Sequence, residues 1–208
     1  MPFDEINDTS NFVVSFTNDP KGDFDVFAKG YTLAANRLAA SLLEAPGFPD
    51  YEAYPVVFLY RHALELSLKH IIYGGVKLAA FRRMDEINEQ LKNNHNLLQL
   101  SHIAGRVLVL LFPNDEMLIR LNATVTAMCE GWSKIDPRSD GYRYPIDTKG
   151  QPSTKRHQVV NLRALSTRVA AVLEGLDTVH FGLDLETSKE QELYEVLEQF
   201  VPSDQHVG

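Results

Sequence analysis

Tyr54-Pro-Val-Val-Phe58-Leu-Tyr-Arg61-His62-Ala-Leu-Glu65-Leu-Ser-Leu-Lys69-His70-Ile-Ile-Tyr73 decides the fold of this chain. The stretch is too apolar for a surface helix, yet Arg61, Glu65 and Lys69 recur every four residues within it. On a helix, positions i, i+4 and i+8 form one stripe, so the three charges alternate in sign along a single line. A charged stripe on so apolar a helix must be paired, open to a cleft, or covered by a partner.

Outward from this helix, apolar residues recur at helical spacing through most of the chain, and no strand-like alternation exceeds four or five residues. The expected fold is therefore an all-α bundle of about six helices, four long ones forming the core. Asp23 is placed to cap a first helix carrying Phe24, Phe27, Tyr31, Leu38 and Leu42, which Pro46-Gly47-Phe48-Pro49 ends. The second helix starts between Asp50 and Pro55 and is expected to stop at Gly74-Gly75. A weaker helix is expected over 76–91, then a buried one from Leu97 to Phe112. Asn114 or Asp115 caps the next, which runs to about Lys134. Residues 135–155 hold three prolines and two glycines and read as a long polar loop. A helix from His157 to about Phe181 and a separate acidic one over Glu190–Phe200 complete the set. The resulting division is a polar segment over 1–22 (with one extended patch, Phe12–Phe16), a bundle over 23–183, and an acidic helix and tail over 184–208.

Composition narrows the chemistry. Cys129 is the only cysteine, which excludes an internal disulfide and a Cys-rich zinc site and suits a reducing cytoplasm. It lies in Ala127-Met128-Cys129 and reads as a buried, inert thiol. The acidic start, Met-Pro-Phe-Asp-Glu-Ile-Asn-Asp, is unlike a signal peptide, and the run Val107–Phe112 is too short to cross a bilayer. A cytoplasmic protein with no membrane contact is expected. No histidine pair has metal-ligand spacing, and no phosphate-cradling glycine loop or nucleophile elbow occurs, so neither metal nor cofactor is expected. The net charge is −8, but Lys134 to Arg168 carries eight Lys/Arg against three Asp. That local excess of +5 makes residues 134–168 the candidate face for an anionic partner, or simply a solvated loop balancing an acidic body. Lys155-Arg156-His157, Arg163 and Arg168 form its basic edge, without interleaved aromatics.

Three separated motifs carry a resemblance. Phe58-Leu-Tyr-Arg61-His62-Ala-Leu-Glu65-Leu-Ser-Leu-Lys69, then His95-Asn-Leu-Leu-Gln-Leu100, then Arg143-Tyr144-Pro145 look like the signature of uncharacterised bacterial HEPN-like helical proteins, over about residues 24–180. The resemblance implies a helical bundle with a role in binding or RNA cleavage, in antiphage or toxin–antitoxin systems. Catalytic HEPN ribonucleases carry Arg, four to six residues, then His; no arginine here has a histidine at that spacing. A non-catalytic module binding a protein or RNA partner is expected, with a degenerate metal-independent ribonuclease using His95 and Arg143 as the alternative.

The candidate binding residues are Arg61, Glu65, Lys69, His95, Asp136, Ser139, Arg143 and Tyr144. His95 reads as a cap or turn residue, along with Asn94, or as a general acid–base. Arg143 reads either as a bidentate clamp for phosphate or carboxylate or as a partner for Glu65. The stripe is expected to pack against Arg143-Tyr144-Pro145. His62, on a different face, reads as packing or surface. The second helix has more apolar surface than a small bundle covers, which points to a homodimer.

Overall fold

The computed structural model describes residues 23–44, 47, 50–81, 94–136, 141–147, 149–154 and 159–198 of the 208-residue chain. It is all-α: α1 (Phe24–Glu44), α2 (Ala53–Phe81), α3 (Leu97–Leu111), α4 (Glu116–Ile135) and α5 (Leu162–Glu198), with a 3-10 turn at Asp50–Glu52. No strand occurs among the described residues; Ile146 and Pro152 form one isolated antiparallel bridge.

α2 is the axis of the bundle. It packs on α1, α3 and α5, and Val56, Tyr60, Leu64, Leu68 and Ile71 are fully enclosed. Being covered on nearly all sides by its own chain, it has no spare apolar face for a second copy, and the reason the sequence offers for a dimer falls away. α1 meets it through small side chains, Ala28, Ala35 and Ala39, with Leu42. Asn36 accepts a hydrogen bond from the buried Tyr60 hydroxyl at 2.7 Å.

The cap of α4 is one the sequence suggests, Asp115, whereas that of α3 is Asn96 and not the expected His95 or Asn94. Asn96 caps α3 by accepting from the Gln99 N–H at 3.1 Å, and Asn94 Oδ1 accepts from the Asn96 N–H. Asp115 caps α4 by accepting from Met117 and Leu118. Asn114 takes the left-handed conformation (φ 70°) that reverses the chain between these helices, a geometry asparagine tolerates better than most residues.

Three boundaries differ from expectation, the first being the start of α5 at Leu162 and not near His157. α2 does not stop at Gly74-Gly75 but continues to Phe81, absorbing the start of the helix expected over 76–91. The rest of that helix lies outside the described residues, as does the patch Phe12–Phe16. The glycines serve close packing instead of termination. A β-carbon at Gly75 would overlap Val107 Cγ1 of α3, and one at Gly74 would sit 3.8 Å from Leu183 Cδ1 of α5. Likewise α5 is one helix from Leu162 to Glu198, not two, so the division expected at residue 184 falls inside it. Leu183 and Thr187 are buried, holding the helix against its neighbours through the polar stretch where the sequence suggests a break.

Gly75 gives a direct test. Gly75→Ala gains about 1 kcal/mol of helix propensity but costs about 1–3 kcal/mol in overpacking against a branched, buried side chain. The expected outcome is a lower urea midpoint. Val107→Ala in the same chain should then cost less than it does alone, because the two changes share one space.

Candidate functional site

The stripe on α2 is the buried ionic centre of the protein. Glu65 is its hub, with 1% of its surface exposed. Its Oε1 accepts from Lys69 Nζ at 2.9 Å and from His95 Nδ1 at 2.8 Å, and its Oε2 accepts from Arg61 Nη1 at 3.2 Å. Arg61, also 1% exposed, reaches two further groups. Its Nε lies 3.2 Å from Asp136 Oδ2, and its Nη2 donates to the His95 carbonyl at 2.9 Å. Asp136, which ends α4, uses Oδ1 to accept from the Gly141 N–H at 3.1 Å. The helix, the start of the polar loop and the turn before α3 are thus tied to one guanidinium.

Two cations and two carboxylates balance here, and the geometry satisfies each of them. Burial pushes the Glu65 carboxyl up, but the Lys69 and His95 hydrogen bonds and charges outweigh it and hold the group below its ordinary value. Because a carboxylate only accepts, the Glu65 contact places a proton on His95 Nδ1. The ring itself is 54% exposed at the mouth of the cluster. His95 is therefore not the cap of α3; Asn96 is.

Arg143, Tyr144 and Pro145 do not pack on the stripe as expected. Arg143 is exposed, with its guanidinium over the Phe58 ring (5.6 Å to the centroid) and over Tyr144 (5.3 Å). Neither Glu65 nor any other carboxylate pairs with it among the described residues. The loop partner of the stripe is instead Asp136. The physical reason is reach: the Phe58 face lies about two helical turns before Glu65, and the aromatic rings there seat a delocalised cation. The loop is itself ordered by local bonds. Asp147 accepts from the Lys149 and Gln151 N–H groups, and Ser153 N–H donates to the Pro145 carbonyl. Ser139 and Lys155-Arg156-His157 lie outside the described residues.

No protein-family model, curated protein or solved structure matches this chain.

Other groups complete the electrostatics. His62 stacks on Phe58 and meets Tyr31 edge-on; burial lowers its pKa, and it packs as the sequence suggests. Cys129 is buried, and desolvation pushes its thiol up to about 12, which leaves it inert. The sequence gives no sign of a second histidine site. His70 on α2 and His180 on α5 face each other at 4.5 Å between ring centroids, both buried. His180 Nε2 donates to the Ser67 carbonyl at 3.0 Å, so Nε2 carries the proton. His70 Nε2 stands 3.5 Å from Asp184 Oδ1, an electrostatic approach too long for a good hydrogen bond. Nothing in either local sequence links residues 110 positions apart. Among the described residues, no helix is long and apolar enough to cross a membrane.

Proposed function

We propose that this chain is a non-catalytic, HEPN-like helical module that binds a protein or RNA partner. One observation carries the reading: the charged stripe that could have lined a reactive cleft is buried and satisfied by its own members together with Asp136 and His95. Arg61, Glu65, Lys69 and Asp136 hold the bundle together, while Arg143 and Tyr144 stand exposed beside them. An exposed guanidinium supported by aromatic rings keeps its N–H edge for a phosphate or carboxylate. The HEPN resemblance adds a setting in defence or toxin–antitoxin systems.

The second reading, a degenerate metal-independent ribonuclease, has one point in its favour. Glu65 orients the His95 ring while leaving it open to solvent, as a proton-transfer group requires. Arg143 would then support charge at the scissile phosphate. Incubation with labelled single-stranded RNA, with and without divalent metal, separates the two. Intact RNA is expected. Cleavage lost in both His95→Ala and Arg143→Ala, with helicity unchanged by circular dichroism, would replace the binding module with the nuclease. On the same RNA, weaker binding by Arg143→Ala and Tyr144→Ala identifies an RNA partner; no binding at all points to a protein.

A further inference from the structure

The loop that carries Arg143 doubles back on itself through two backbone bonds. Asp147 N–H donates to the Gln151 carbonyl at 2.7 Å and Ser153 N–H to the Pro145 carbonyl at 3.1 Å, flanking the bridge between Ile146 and Pro152. In an antiparallel pair of this kind the two facing residues share no bond, and their own N–H and C=O groups point outward. The two outer edges are unequal. Pro152 has no N–H, so its edge can only accept, whereas Ile146 presents a donor and an acceptor together. Among the described residues nothing takes up either group of Ile146. Ile146 is 57% exposed, with Tyr144 and Pro145 exposed beside it, so this edge opens to solvent.

The charges around the edge are uneven as well. Between residues 141 and 154 the one acid is Asp147, whose Oδ1 accepts from the Lys149 and Gln151 N–H groups at 2.8 Å. The loop thus carries two cations, Arg143 and Lys149, against one carboxylate already engaged in its own turn. An open strand edge is satisfied by another extended chain, whose peptide groups repeat the same donor and acceptor at matching spacing. A nucleic-acid strand has no such repeat, and a long polyanion would also meet a body of net charge −8.

We propose that the Ile146 edge is the docking site for an extended acidic peptide of a partner protein, which pairs with the Ile146 N–H and C=O as an added strand and sets an Asp or Glu against Arg143. The peptide residue opposite Ile146 exchanges both backbone bonds with it. The carboxylate takes the guanidinium N–H edge, while the Phe58 and Tyr144 rings hold the plane of the cation. This docking mode rests on the reading of Arg143 and Tyr144 as partner-binding groups, and it narrows that partner to a peptide strand.

Selection of a displayed library of random heptapeptides on the full chain tests it. Enriched peptides should carry Asp or Glu. One of them, labelled for fluorescence anisotropy, should bind about tenfold more weakly to Arg143→Gln and to Ile146→Pro, and unchanged to Ile146→Val. Proline at 146 removes the outward N–H and spares the loop, whose bonds use the Pro145 carbonyl and the Asp147 N–H, and proline already occupies the facing position. N-methylation of the peptide, residue by residue, should weaken binding at the residue opposite Ile146, a readout that needs no change in this chain. Acidic peptides that depend on Arg143 but tolerate both Ile146→Pro and every N-methylation overturn the strand pairing and leave the partner-binding reading standing. Failure to enrich acidic peptides overturns it too. RNA binding that depends on Arg143 would in that case keep the partner-binding reading, and its absence would sink both.

Discussion

Glu65→Ala should lower the free energy of unfolding by about 3–5 kcal/mol, the cost of breaking a buried ion pair from one side. The substitution leaves Lys69 buried and Arg61 held only by Asp136 and the His95 carbonyl. It also opens a cavity beneath the His95 ring. Urea denaturation followed by circular dichroism at neutral pH measures the loss. Glu65→Gln keeps the volume and one acceptor, and should fall between wild type and alanine. A midpoint shift smaller than that of an exposed-pair control such as Glu116→Ala, whose partner Arg120 is largely exposed, would remove Glu65 from the centre of the fold. The pH dependence has a definite sign. A carboxylate held below its ordinary pKa stabilises the fold above its unfolded value, and that contribution is lost only as pH falls below about 4.5.

The second large effect comes earlier in an acid titration. Burial and the neighbouring His70 ring lower His180 from 6.5 to about 4. A base with a depressed folded pKa is neutral in the fold but takes up a proton when the chain unfolds. Its contribution to stability is whole above about 6.5 and is lost progressively as pH falls from there toward about 4. The span corresponds to about 3 kcal/mol, at 1.36 kcal/mol per pKa unit. Asp177 and Asp25 face this pair and moderate the loss, while the His70 ring beside Asp184 holds that carboxyl below its ordinary value. Unfolding free energies at a series of pH values should therefore fall in this window for wild type. His180→Leu should flatten the curve there, even where it lowers stability at neutral pH. An equal slope in both proteins would assign the acid sensitivity to another group.

The two effects occupy different windows, so they can be read from one titration. His180 acts at the contact of α2 with α5, whereas Glu65 acts where α2 meets the turn before α3 and the end of α4. The first loosens the long helix; the second would open the side of the bundle that carries His95.

The sequence by itself determined the helical class, because amphipathic periodicity is local and each turn repeats it. It also determined the start of α4, where Asp115 satisfies amides three residues away or fewer, whereas the cap of α3 fell to Asn96 and not to the expected His95 or Asn94. The stripe of Arg61, Glu65 and Lys69 was legible for the same reason, since i, i+4 spacing fixes which side chains share a face. What tertiary structure alone decided was where that stripe finds its partners. Asp136 lies 75 residues from Arg61, and His95 lies 30 from Glu65. Arg143 was free, by sequence, to pair with Glu65, and only the placement of the loop over Phe58 sent it to the aromatic rings. Gly74-Gly75 and the polar stretch after Phe181 read locally as stops, since glycine weakens any helix in isolation. In the folded chain, close approach to Val107 and Leu183 makes those glycines useful. Burial of Leu183 and Thr187 carries α5 through its polar stretch. Local spacing sets which residues can share a face; burial in three dimensions sets what that face meets.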